Sequence, residues 1–177
     1  GTTTGTYYVF NTSPFDPATT NTVTLKGTVI VDTPTVGLDV VLNKSLIDSV
    51  NGKTVTRENA LAFKLTNNLA GFNTLAWADQ PKMKVEVTLP GGGVTTQFGG
   101  QTLGPVAANG STVYVYNASL NGVEAGTYTA QAKWYSDRPG ASFYNKGYDS
   151  NAATFEVLTK SLAIAANKDT VIRGNSF

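Results

Sequence analysis

The chain contains no cysteine and no histidine among its 177 residues. Without cysteine, neither a disulfide framework nor a thiolate metal site can form. Without histidine, the chain lacks the side chain most used for proton transfer near neutral pH and the commonest metal ligand. No nucleophile elbow or phosphate-binding loop is present either. We therefore expect no catalytic residues, no metal and no cofactor, and we expect the chain not to be an enzyme.

Charge is also scarce. Charged residues make up 14% of the chain and the net charge is +1, whereas about 25% is typical of a soluble domain. Lysine and arginine are scattered, and a nucleic-acid surface needs a basic stripe. No apolar run approaches the ~18 residues that cross a membrane. These absences exclude a nucleic-acid partner and a membrane span, and the Thr-, Asn- and Gly-rich composition is typical of exported, extracellular proteins.

What the sequence does contain is alternation, most clearly in Asn21–Asp32. Period two over ten residues predicts a strand. A glycine inside a strand often marks the close approach of another backbone or side chain. One face of this strand is expected to carry Val23, Leu25, Gly27, Val29 and Val31.

Further alternating segments, including Lys82–Leu89, Gly126–Ser136 and Ala153–Leu158, bring the total to eight to ten short strands without a long helix. Short strands separated by Gly, Pro and Asn-Gly turns indicate a two-sheet sandwich or a barrel. We predict a single all-β domain over 1–177, with an N-terminal extension at 1–20 and a C-terminal tail at 160–177.

The segment Val123-Glu-Ala-Gly-Thr-Tyr-Thr-Ala-Gln-Ala132 resembles the penultimate strand of immunoglobulin-like domains. In that fold a tyrosine near the strand start bonds back to the backbone at a corner. The resemblance implies an immunoglobulin-like sandwich in which Tyr128 is the corner residue. Trp77 is then expected to be the buried tryptophan of the opposite sheet, and Trp134 lies on the core face of the Tyr128 strand.

The order of the strands also resembles the subunits of donor-strand-assembled fimbriae of the cysteine-free chaperone–usher type. There, an alternating strand near the N-terminus fills a groove in the neighbouring subunit, as Asn21–Asp32 would. The resemblance implies a structural subunit of an extracellular fibre, pilus or surface coat, with other copies and an assembly chaperone as partners. This chain differs by continuing through 137–177, where Ala153–Leu158 is able to complete the sandwich from within. Pairing in cis and pairing in trans therefore both remain open.

A second group of candidate residues lies in the long loop Asp137–Ser150. Aromatic side chains in a loop on a rigid sandwich are typical of recognition surfaces, although they can also pack over the sandwich end as a lid. The candidates for ligand binding are Arg138, Phe143, Tyr144 and Tyr148. The alternative function is thus a self-contained adhesin or carbohydrate-binding module with a glycan or protein receptor. A virion coat or decoration protein is a further alternative.

Overall fold

Fourteen strands and one 3-10 turn form in the part of the chain that the computed structural model describes, residues 3–10, 24–135 and 148–159. The elements are β1 (Gly5–Phe10), β2 (Leu25–Val31), β3 (Val36–Leu42), β4 (Ser45–Ser49), β5 (Thr54–Thr56), β6 (Ala60–Asn67), the 3-10 turn (Ala70–Phe72), β7 (Lys82–Thr88), β8 (Val94–Thr95), β9 (Gln97–Phe98), β10 (Gln101–Thr102), β11 (Val106–Ala107), β12 (Val113–Ser119), β13 (Gly126–Tyr135) and β14 (Ala153–Leu158). No helix among these residues has the length and hydrophobicity needed to cross a bilayer.

Two sheets pack face to face. The first has the order β11-β7-β13-β14-β5, with β8 also paired to β7, and the second has the order β12-β6-β3-β4. The pairs within the sandwich are antiparallel except β14 with β5, which is parallel. The all-β, immunoglobulin-like sandwich predicted from the sequence is therefore confirmed.

The core lies between the two sheets and follows the alternation of the strands. Along β14, for example, burial switches strictly from residue to residue, because successive side chains of a strand point to opposite faces. Fully buried side chains in the first sheet include Val85, Val87 and Phe155, and those facing them from the second include Phe63 and Leu65. Phe63, Phe98, Tyr128 and Phe155 form a connected group of rings at the centre.

Tyr128 makes the corner hydrogen bond at the start of β13. Its hydroxyl donates to the carbonyl oxygen of Glu124 at 2.7 Å, and its ring stacks on Phe155 with centroids 5.6 Å apart. Burial of the side chain, followed by the nearby Glu124 charge, raises the pKa of Tyr128 above its ordinary value. The hydroxyl therefore keeps the proton that it donates.

The two tryptophans occupy different environments, and this corrects the expectation for Trp77. Trp134 lies in β13 and is 8% exposed, whereas Trp77 lies between β6 and β7 and is 59% exposed. The seven residues 73–79 are all exposed, so neither sheet covers their segment. Trp134 is thus a core residue and Trp77 is a surface residue.

The final strand of the sandwich comes from the same chain. β14 is paired with β13 on one side and with β5 on the other, and it buries Ala153, Phe155 and Val157. The side chain of Asn51, just before β5, accepts a hydrogen bond from the Thr154 amide at 2.9 Å. In this structure the groove between β13 and β5 is filled in cis.

Candidate functional site

β1 and β2 form a two-stranded antiparallel ribbon that is separate from both sheets of the sandwich, and we call this ribbon the arm. The strand predicted over 21–32 is thus present as Leu25–Val31, while Val23 lies outside the described residues. Its partner is Gly5–Phe10, from the segment that the sequence marked only as an extension. Neither strand of the arm is paired with a strand of the sandwich.

A β-bulge alters the faces expected for β2. Val9 lies opposite Gly27 and Phe10 lies opposite Leu25, so that Lys26 is an extra residue in its strand. An extra residue moves every side chain beyond it to the other face of the ribbon. Gly27, Val29 and Val31 share one face as expected, but Leu25 belongs to the opposite one, which corrects that part of the prediction.

Both faces of the arm are apolar and open to solvent. Ile30 is 74% exposed, Tyr8 62% and Val29 50%. The remaining large apolar side chains of the arm, each exposed by 38–49%, are Tyr7, Val9, Phe10 and Leu25. Contiguous exposed apolar side chains of this kind are typical of interaction surfaces.

Among the described residues, nothing requires Gly27 to be small. A Cβ atom built at this position would have no atom of the described chain within 4 Å. The close approach that a mid-strand glycine indicates is therefore absent from the part of the chain that the structure describes. A side chain at position 27 would be tolerated by the arm itself.

Asn68 fastens the base of the arm to the end of β6. Its side-chain amide donates to the carbonyl oxygen of Thr33 at 2.9 Å and to a carboxylate oxygen of Asp32 at 3.3 Å. Its side-chain oxygen accepts from the Thr35 amide at 2.9 Å. A single asparagine thus fixes the place where the chain leaves the arm and enters β3.

The arm stands at one end of the sandwich, which we call the arm pole. Val36 pairs with Asn67, Tyr135 pairs with Lys82 and Tyr148 bridges to Thr35, so the base of the arm, the loop 68–81, the end of β13 and residues 148–152 all lie at this end. A cleft of about 740 Å³ opens between Thr28 and Ile30 of the arm and the loop residues 68–72. Leu75, Trp77 and Tyr148 are exposed at the same pole.

The β13–β14 connection is described only from Tyr148 onwards. Tyr148 is 72% exposed and borders a shallow groove together with Asp149 and Asn151. The other candidate ligand-binding residues, Arg138, Phe143 and Tyr144, lie outside the described residues. Ligand binding by this loop stays a prediction.

The described residues hold no group of three or more acidic side chains placed to bind a metal ion. Glu86, on the solvent face of the first sheet, is paired with Lys84 at 2.7 Å and Lys133 at 3.1 Å. The hydrogen bond from Lys84 is the main cause that lowers the pKa of Glu86, and the Lys133 ammonium lowers it further. These contacts belong to the sheet surface and lie outside the arm.

Fold and site together define an immunoglobulin-like sandwich that carries a projecting, apolar, two-stranded arm. The model of a family described as a domain of unknown function, DUF3821, matches residues 1–148, and the chain belongs to this family. No curated protein matches the chain. The matched region contains the whole arm but ends before β14, which begins at Ala153.

Proposed function

We propose that the chain is a structural, non-catalytic subunit of an extracellular fibre or surface coat, and that its copies are joined by the arm. The observation that carries this proposal is the exposure of apolar side chains on both faces of a ribbon that neither sheet covers. A two-stranded ribbon is marginally stable in water by itself. Cover from outside the chain would stabilise it.

The size of the arm fits an interface with a second copy. Seven large apolar side chains are each about half exposed. With roughly 100 Å² of remaining surface per side chain, they offer about 700 Å². A stable protein interface buries about 800 Å² per partner. The arm alone therefore supplies nearly the surface that one side of such an interface needs.

The acceptor in the neighbouring copy is β4. The arm has unpaired backbone along its outer edges, and such an edge binds by adding to the edge of another sheet. β4 is the outer strand of the second sheet, and its Ile47 is 90% exposed. Both edge strands of the second sheet contain a register shift, but of the two only β12 also places a non-glycine residue, Asn117 at φ 61°, in the left-handed region, which hinders strand addition further. An arm-to-β4 contact is head-to-tail and extends into a fibre.

Charge placed on the arm tests this proposal. Ile30→Glu is expected to leave the fold intact, because the side chain is mostly exposed, and to make the protein monomeric while the unmodified chain assembles. Light scattering after size exclusion gives the mass, and circular dichroism checks the fold. The matched control is Val94→Glu in β8, at the opposite end of the sandwich, where the side chain is 61% exposed. Normal assembly of Ile30→Glu would exclude the arm as the interface.

Mixing two variants tests the acceptor. Ile47→Glu is expected to be monomeric as well, because it places charge on β4. A mixture of Ile30→Glu and Ile47→Glu still has one intact arm and one intact β4, so it should form a 1:1 complex and grow no further. If the mixture stays monomeric, the arm does not bind β4.

Gly27→Val tests whether a partner approaches the arm closely. The described residues leave room for a Cβ atom at position 27, and valine favours strands. We expect a folded monomer that no longer assembles. Assembly at the level of the unmodified chain would show that no partner lies against Gly27.

A further inference from the structure

The loop 68–81 is held by two buried polar side chains. Lys82 is 6% exposed, and its Nζ donates to the carbonyl oxygens of Trp77 at 2.7 Å and Gln80 at 3.0 Å, with Ala78 at 3.5 Å. Gln80 is 7% exposed, and its Nε2 donates to the carbonyl oxygen of Leu75 at 2.8 Å. The turn over 75–80 is thus closed around an ammonium group.

The core does not require this arrangement. All seven residues 73–79 are exposed, so this part of the loop adds no side chain to the interior, whereas Leu69, earlier in the loop, packs against the core. Burying an ammonium group is costly unless it is well bonded, as it is here. The buried groups therefore fix the shape of a surface loop, and loops held by a rigid scaffold are where binding residues concentrate.

Trp77 is the most prominent side chain of the loop. Its indole is 59% exposed, and the Lys82 Nζ lies 4.1 Å from the ring centroid. This contact restrains the ring and occupies the site where a cation would bind. A second cation would be repelled by the first, so the open side of the indole suits a neutral ligand.

We propose that Trp77 is the stacking platform of a binding site for a neutral sugar ring. A flat, restrained, solvent-facing indole matches the apolar face of a sugar, while Asn73 and Thr74, exposed in the same loop, carry hydrogen-bonding groups suited to its hydroxyls. A net charge of +1 without a basic cluster gives the surface no general attraction for acidic polymers.

The size of the patch favours a sugar over a protein. At 59% exposure, an indole offers about 150 Å², a small part of the ~800 Å² that each side of a protein interface buries. The patch suffices for one or two sugar rings. This site is distinct from the arm and does not depend on assembly through it.

Quenching of tryptophan fluorescence by acrylamide provides the test. Trp77 is exposed and Trp134 is buried, so the quencher reports on Trp77. The probes are neutral gluco-, galacto- and manno-oligosaccharides of six units. We expect at least one to protect Trp77 from acrylamide, and Trp77→Ala to weaken its binding, measured by calorimetry, at least about tenfold. Leu75→Ala in the same loop is the matched control and should change the affinity less than about threefold.

Lys82→Met tests whether the indole of Trp77 must be held in place, because it keeps the indole and removes the ammonium group that restrains it. In Lys82→Met the carbonyl oxygens of the loop lose their donor, so the affinity for the sugar should fall. Lys82→Arg keeps the positive charge and should restore part of that affinity. Absence of binding to every probe, or unchanged affinity in Trp77→Ala, overturns the proposal. Loss of assembly in Trp77→Ala also overturns it, because the loop would then belong to the interface between copies. The mass of the assembled protein is measured separately by light scattering. Absence of sugar binding therefore does not contradict the function proposed for the arm.

Discussion

At the scale of single residues, the hydroxyl of Tyr128 makes the corner hydrogen bond that the sequence predicts. Tyr128→Phe keeps the buried ring and removes the hydrogen bond to Glu124. We expect the free energy of unfolding to fall by about 1–2 kcal/mol, measured by urea denaturation. Tyr116→Phe, where the side chain is 46% exposed, is the control and should stay within about 0.5 kcal/mol. Equal effects of the two substitutions would show that the corner bond contributes nothing specific.

Glu86 gives the fold a defined pH dependence. Its pKa in the folded chain is lowered below the ordinary 4.5 by Lys84 and Lys133. A lowered carboxyl pKa contributes stability above the ordinary pKa, and the contribution is lost as pH falls from 4.5 through the lowered value. The melting temperature of Glu86→Gln should therefore lie below that of the unmodified chain at pH 7, and the gap should close at low pH. A gap that is independent of pH would contradict this role.

The two tryptophans and the β-bulge at Lys26 show which single-residue features the sequence predicts and which it does not. The alternation of β13 correctly placed Trp134 on the core face, because period two is a local property of a strand. The sequence does not predict the exposure of Trp77, because burial at this position depends on whether an opposing sheet covers the loop. No local pattern encodes that. The bulge at Lys26 is not encoded locally either, because Lys26 is an extra residue only relative to its partner strand β1.

At the scale of elements, β14 is needed for folding although it lies outside the region matched by the family model. A chain ending at Tyr148 would lose Ala153, Phe155 and Val157 from the core. Large-to-small changes at such positions cost about 2–5 kcal/mol each, and whole domains are stable by about 5–15 kcal/mol. We expect the shortened chain to show no cooperative unfolding, and a peptide of residues 151–159 to restore it. A chain ending at Thr159 is the control, and a cooperative transition in the shortened chain without peptide would contradict the prediction.

The strands themselves were largely predictable, and their partners were not. Segments such as 82–89, 126–136 and 153–158 alternate clearly, and each appears as β7, β13 or β14. The sequence does not predict β1, because its short aromatic run lies in a Thr-, Gly- and Pro-rich segment. The pairing of β2 with β1, outside both sheets of the sandwich, follows from competition between strands for partners. The alternation of β2 alone is equally compatible with a place in the core.

At the scale of the whole molecule, exposed apolar surface is concentrated at one end. Of the fifteen large hydrophobic side chains that are exposed in the described residues, ten belong to the arm pole: seven on the arm, together with Leu75, Trp77 and Tyr148. The sequence indicates Tyr148 as a surface aromatic, but not that it lies at the same end as the arm and Trp77, which follows from the sandwich topology. With a net charge of +1, electrostatic repulsion between copies is weak, and apolar contact can dominate their association.

Hydrogen exchange as a function of protein concentration tests most directly whether the arm joins copies of the chain. Backbone amides are protected only where they are bonded and shielded, so a free ribbon exchanges quickly. We expect protection of Gly5–Phe10 and Leu25–Val31 to rise with concentration, together with protection of β4, while the already protected β13 stays unchanged. Fast exchange in the arm at every concentration, in samples that nevertheless assemble, would contradict the account.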